Sequence, residues 1–169
     1  MEFRYPFYRK VLKYPDLRYT MEKTFIDYMK EELKNVQDSG KDFDRELLNF
    51  PDLIQLLCNA LEDDTVDRQA RIMINAALGY LLVPNDLVPE EVYGIFGYMD
   101  DLYLTCIVVT YLREKYPELT DSIWRKMSDE DLGKIVDLCT YKSERFLDEK
   151  NLKEKLFSGF PCKHRLSHH

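Results

Sequence analysis

No histidine occurs before His164, so the body of the chain has no imidazole for a nucleophile–base relay. Glycine-rich phosphate loops of the G-x-x-x-x-G-K-[ST] or G-x-G-x-x-G type are absent, which removes the commonest nucleotide-binding signatures. The four cysteines, Cys58, Cys106, Cys139 and Cys162, form no C-x-x-C pair. Three of them lie in apolar helical patterns and read as small buried hydrophobes. No uncharged run approaches the roughly 20 residues that a membrane-spanning helix needs. The N-terminus is aromatic and charged throughout, so no secretory leader is expected and a reducing cytoplasm is the expected location. Most telling is a local absence: from residue 72 to 112 there is no lysine, arginine or histidine.

What is present suits one folded domain over 1–169. The chain is 45% hydrophobic and 33% charged, a globular balance long enough for a sizeable core. Its formal net charge of −7 argues against nucleic acid as a partner, since phosphate neutralisation needs a basic face.

Helical periodicity runs through most of the sequence. Phe25, Met29, Leu33 and Val36 predict a helix from Thr20 to about Gly40. A short helical piece follows over 43–48, and Pro51 then sits in the first turn of a helix carrying Leu53, Ile54, Leu57 and Leu61. Asp64-Thr65 is expected to cap a helix over 66–82, which Pro84 ends. The stretch 98–116 is rich in β-branched residues, but it is too long for an ordinary strand and opens on Asp100-Asp101, where a helix favours carboxylates. Apolar on nearly every side, it should be the central buried helix. Pro117 opens a short helix through Trp124, and Ser128 to Asp131 resembles a capping box before a helix to about Phe146. One more turn or two is expected over 151–157. The expected fold is all-α: a single-domain bundle of about six helices around an antiparallel hairpin of 66–82 and 98–116.

The connector of that hairpin holds five acids, Asp86, Glu90, Glu91, Asp100 and Asp101, punctuated by Pro84, Pro89, Gly94 and Gly97. Two chemistries compete for them. As turn chemistry, the prolines set two φ angles, the glycines permit tight backbone, and the short acids accept from backbone N–H groups. Asp86, Asp100 and Asp101 would then be caps. As a site, Asp86, Glu90, Asp100 and Asp101 would repel one another and draw in Mg²⁺, Ca²⁺ or Mn²⁺ through oxygen-only ligands. Turn chemistry is preferred, because short polar side chains beside proline and glycine usually serve the backbone. Neutralisation by Arg68, Arg71 or Arg113 is a third route. Each uncharged segment is about 12 residues, or roughly 18 Å of helix, too short for a bilayer. Membrane contact is therefore expected to be at most peripheral.

The run Ala76-Ala-Leu-Gly-Tyr-Leu-Leu-Val-Pro-Asn-Asp-Leu-Val-Pro-Glu-Glu, followed by Gly94-Ile-Phe-Gly-Tyr-Met-Asp-Asp-Leu, resembles the YkvA-like domain, a small helical family of unknown function. That family pairs an apolar helix and Pro-x-Asp-Leu-Ile-Pro-Asp with Gly-x-x-Asp-Asp opening a second apolar helix. Pro84, Asp86, Leu87, Pro89, Gly97, Asp100 and Asp101 fit; Val88 replaces isoleucine, and Glu90 stands where the family has aspartate. The resemblance covers 68–112 and implies no reaction, catalytic residue or cofactor.

Outside the hairpin, residues 1–19 form an aromatic and basic arm, expected to lie on the acidic body rather than clamp single-stranded nucleic acid. The basic tail 158–169 ends in His168-His169. Cys162 and its histidines have a soft-metal composition but lack a second ligand pair, and the last two could be an added tag. The expected function is a non-enzymatic helical scaffold or interaction module with a protein partner and no cofactor. The alternatives are a carboxylate-metal enzyme or sensing module over 84–101, and a peripheral membrane adaptor.

Overall fold

The computed structural model describes residues 17–39, 45–82, 87–88 and 90–159, with the side chains of 17–24, 90, 91 and 159 left aside. Among these residues the chain is all-α, with helices α1 (Leu17–Asp38), α2 (Phe50–Leu61), α3 (Arg68–Leu81), α4 (Glu90–Tyr93), α5 (Met99–Lys115), α6 (Pro117–Trp124), α7 (Leu132–Glu149) and α8 (Lys153–Gly159). Two 3₁₀ turns, Arg45–Asn49 and Gly94–Tyr98, lead into α2 and α5.

The bundle is organised on α5. Leu102, Cys106, Val108, Val109 and Leu112 are fully buried, and α2, α3, α6 and α7 all pack against this helix. Its β-branched run does not make a strand, because tertiary burial on every side outweighs a propensity of well under a kcal/mol per residue. Burying one such leucine or valine contributes roughly 1.5–3 kcal/mol. The densest contact is α5 on α7, where Cys106 meets Cys139 and both thiols are buried and free.

Local chemistry shifts several expected ends. The helix start expected at Asp64-Thr65 is displaced: Asp67 is the N-cap of α3, accepting from the Ala70 N–H at 2.9 Å. Asp63 instead closes the preceding turn onto Thr65. Likewise Asp131 caps α7 by accepting from the Lys134 N–H at 3.0 Å, while Ser128 accepts from Glu130 N–H outside the helix. Leu17 to Tyr19 already belong to α1, so the helix shortens the arm expected over 1–19. The remainder of that arm, and the tail from residue 160, lie outside the described residues.

Leu78 of α3 and Leu82 at its end are only half-buried. Both line a groove. Gly94–Lys115 forms a continuous helical stretch of 22 residues with mean hydropathy 1.3, long and apolar enough by those measures to cross a membrane. In the fold 72% of that window is buried, as in the core helix of a bundle.

Candidate functional site

The end of α3 and the start of α5 meet at one carboxylate. Tyr80 lies in the last turn of α3 and Asp100 in the first turn of α5, where an acid is favoured by the exposed helix N–H groups. The Tyr80 hydroxyl donates to Asp100 Oδ2 at 2.8 Å. The same oxygen accepts from the Val88 N–H at 3.3 Å, and Oδ1 accepts from the Asp101 N–H at 3.1 Å. Tyr80 Oη also accepts from the Leu87 N–H at 3.4 Å. One phenol and one carboxylate thus hold two consecutive amides of the connector against both helices.

Asp100 is fully buried and Asp101 is 2% exposed. Burial pushes the Asp100 carboxyl above its ordinary range, against the opposing pull of the hydrogen bonds from Tyr80, Asp101 and Val88. Burial, then the Asp100 charge, pushes the Tyr80 phenol up strongly as well. This is the geometry of a structural pin: the carboxylate has donors on both oxygens and no open face. It is more than the simple cap that the sequence suggests, because Asp100 reaches back across the hairpin as well as to an N–H of its own helix.

The other predicted site residues fall out as follows. Asp86, Pro84 and Pro89 lie outside the described residues, as does the Glu90 side chain. Gly97 is buried within the 3₁₀ turn. Gly94 takes the left-handed conformation with φ +59°, where glycine has no Cβ penalty. No group of three His, Cys, Asp or Glu side chains that could hold a metal forms among the described residues; of the metal candidates, this bears on Asp100 and Asp101 only.

Two of the arginines, Arg71 and Arg113, are engaged away from Asp100. Arg71 donates to three carbonyls, Leu61 O at 2.5 Å, Asp63 O at 2.6 Å and Val66 O at 2.9 Å, and so clamps the α2–α3 turn. Arg113 packs against α7: a Cβ on Gly133 would stand 2.7 Å from its Nη2, so glycine there makes room for the guanidinium. At the open end of the hairpin Lys115 pairs with Asp67, and the Tyr116 hydroxyl accepts from the Asp67 N–H at 3.0 Å. The lysine's bond and the Ala70 N–H hold the Asp67 carboxyl down at about 2.

An aromatic cover over the connector was not legible in the sequence. Phe96 stacks on Phe146 of α7 with centroids 5.8 Å apart, Tyr93 meets the same ring edge-on, and Lys150 lies over both Tyr93 and Phe146. The interleaved aromatics of 93–98 were the available signal, but their partner lies some fifty residues away. A second feature is an apolar groove of about 250 Å³ between α1, α2 and α3, lined among others by Phe25, Ile54, Leu78 and Leu82.

Residues 70–107 match a family described as a protein of unknown function, DUF1232. The hairpin is a DUF1232 domain. This is the YkvA-like family that the motif resembles, and the Tyr80–Asp100 pin lies inside the matched span. The chain is 29% identical over 112 residues to uncharacterised protein ORF9 of Methanothermobacter thermautotrophicus, covering 64% of this chain and 71% of that one. It is 38% identical over 50 residues to E3 ubiquitin-protein ligase RNF170 of Xenopus laevis, and 36% identical over 50 residues to that of Xenopus tropicalis. Each ligase match covers 29% of this chain and 20% of the ligase. No solved structure matches. The DUF1232 match and these relatives bring no specific role for the chain.

Proposed function

We propose that the protein is a non-enzymatic helical scaffold or interaction module whose DUF1232 hairpin serves folding rather than chemistry. The observation that carries this reading is Asp100. The central acid of the motif is fully buried and accepts from Tyr80, Val88 and Asp101, so both of its oxygens are engaged by the chain itself. A catalytic or metal-binding carboxylate needs an open face toward its ligand. The short match to a ligase many times longer than the matched segment supports a portable unit. The chain is read as one domain over 1–169, cofactor-free, cytoplasmic, with a protein partner; nucleic acid is not expected, given the charge of −7, and any membrane contact would be peripheral.

The test is a melting series on the full chain and its Asp100→Asn variant, with and without Mg²⁺, Ca²⁺ or Mn²⁺. The expected melting temperatures are independent of ion for both proteins. A wild-type temperature that climbs with micromolar ion, with an Asn variant that ignores it, would replace this reading by a carboxylate-metal module.

A further inference from the structure

Among the described residues three lysines stand over aromatic rings, and Lys150 differs from the other two. Lys115 lies over Tyr111 and Tyr116 but pairs with Asp67, and Lys153 lies over Tyr103 but pairs with Glu144. No carboxylate among the described residues lies within ion-pair distance of the Lys150 ammonium. Its Nζ stands 5.7 Å from the centroid of Tyr93 and 6.0 Å from that of Phe146. Those two rings are 5.8 Å apart and inclined at 83°, so they form the walls of a right-angled notch with the ammonium at its mouth. Ring faces carry the negative pole of the aromatic quadrupole and attract a cation within about 6 Å. Here the rings hold the charge by themselves.

The notch is built from both sides. Phe146 and Lys150 lie one turn apart at the end of α7, and Asn151, left-handed with φ 55°, stops the helix behind them. Tyr93 closes α4, and left-handed Gly94 turns the chain so that Phe96 also reaches Phe146, stacking on it with planes 10° apart. One ring therefore backs Phe146 while another faces it. Tyr93 and Phe146 are half-buried and Lys150 is exposed, so the notch opens at the surface.

The resident group shows that a lysine stem can bring a cation to these rings. An incoming unmodified lysine would gain nothing over Lys150. A trimethylated one would gain, because its methyls spread the charge, weaken its hydration and add apolar contact with both rings.

We propose that the Tyr93–Phe146 notch is a binding site for the trimethyl-lysine side chain of a partner protein, with Lys150 as the placeholder that the ligand displaces. This rests on the interaction-module reading and gives that module its ligand chemistry. The two fail separately, because the ion series on Asp100 does not read the notch.

The test is an NMR titration of the full chain with Nα-acetyl-Nε-trimethyl-lysine amide and with its unmethylated counterpart. The trimethyl probe should bind saturably in the millimolar range, with its methyl resonance shifted upfield by the rings and the amides of Tyr93, Phe146 and Lys150 moved. The unmethylated probe should bind several-fold more weakly. Lys150→Ala, an exposed change that empties the notch, should tighten the trimethyl probe several-fold. Tyr93→Leu should abolish binding and Tyr93→Phe should retain it, with unchanged helical circular dichroism. If Tyr93→Leu loses its fold, the Lys150→Ala comparison decides alone. Equal affinity for the two probes, no tightening in Lys150→Ala, or retained binding in folded Tyr93→Leu overturns the proposal. So does equal binding of the neutral tert-butyl analogue, which would mark an apolar crevice. Binding to phosphatidylcholine vesicles without binding to the lysine probe would assign the notch to a lipid headgroup and overturn it as well.

Discussion

Tyr80 and Asp100, one from each arm of the hairpin, are joined by a 2.8 Å hydrogen bond in which the phenol donates to a fully buried carboxylate. The bond ties the last turn of α3 to the first turn of α5, and the same two side chains hold the amides of Leu87 and Val88 between them. The corner is therefore specified by side chains on the helices as well as by the turn residues.

Removing either member should unpin the corner. Tyr80→Phe leaves the buried carboxylate short of its best donor, and hydrogen bonds to charged groups contribute about 1.5–3 kcal/mol. Urea unfolding of Tyr80→Phe, Asp100→Asn and the double variant should give a coupling energy above about 0.5 kcal/mol, as for residues in one network. Additive losses would mean that the two groups act separately.

The same carboxyl should leave a mark on pH dependence. Burial raises its folded-state pKa above the unfolded value near 3.8. The folded state therefore holds that proton more tightly than the unfolded state. The associated stability is fully present below the unfolded pKa and is lost as pH rises through the folded one. Asp63, Asp67 and Asp131 are shifted downward and act in the opposite sense, but Asp100→Asn retains them. The stability of wild type relative to Asp100→Asn should thus fall as pH is raised from about 4. A difference that rises with pH would contradict the assignment.

Core position should separate two leucines on the hairpin. Leu102 is fully buried, and Leu102→Ala should cost about 2–5 kcal/mol through lost burial and a residual cavity. Leu78 is half-buried at the groove, and Leu78→Ala should cost clearly less. Denaturant melts showing equal losses, or a loss under about 1 kcal/mol at Leu102, would displace α5 from the centre of the fold.

Arg71 should resist its nearest replacement. Three carbonyls of the α2–α3 turn converge on its planar donors, a geometry that a single ammonium cannot reproduce. Arg71→Lys should cost on the order of 2 kcal/mol, from the loss of charged hydrogen bonds to partly buried carbonyls. A loss within about 0.5 kcal/mol, as at an ordinary surface site, would show that the clamp is dispensable.

The sequence alone determined the helical class, the hairpin and its family, because these rest on local periodicity and on a contiguous Pro/Gly/Asp pattern. The uncharged face of 98–116 identified the central helix, and Pro51 and Pro117 marked two helix starts within a residue. Tertiary structure alone decided what the acids do. An aspartate at a helix start has the same local signature whether it caps its own helix, holds an ion or reaches a tyrosine twenty residues back. Only the crossing of α3 and α5 put Tyr80 within reach of Asp100. The same holds for Arg71, whose carbonyl partners are set by the path of a turn, and for the Phe96–Phe146 stack, whose halves are brought together by α7 packing on α5. Leu78 and Leu82 mark the boundary most clearly: periodicity reports that a helix face is apolar, but whether that face meets the core or a groove depends on which neighbour lies opposite.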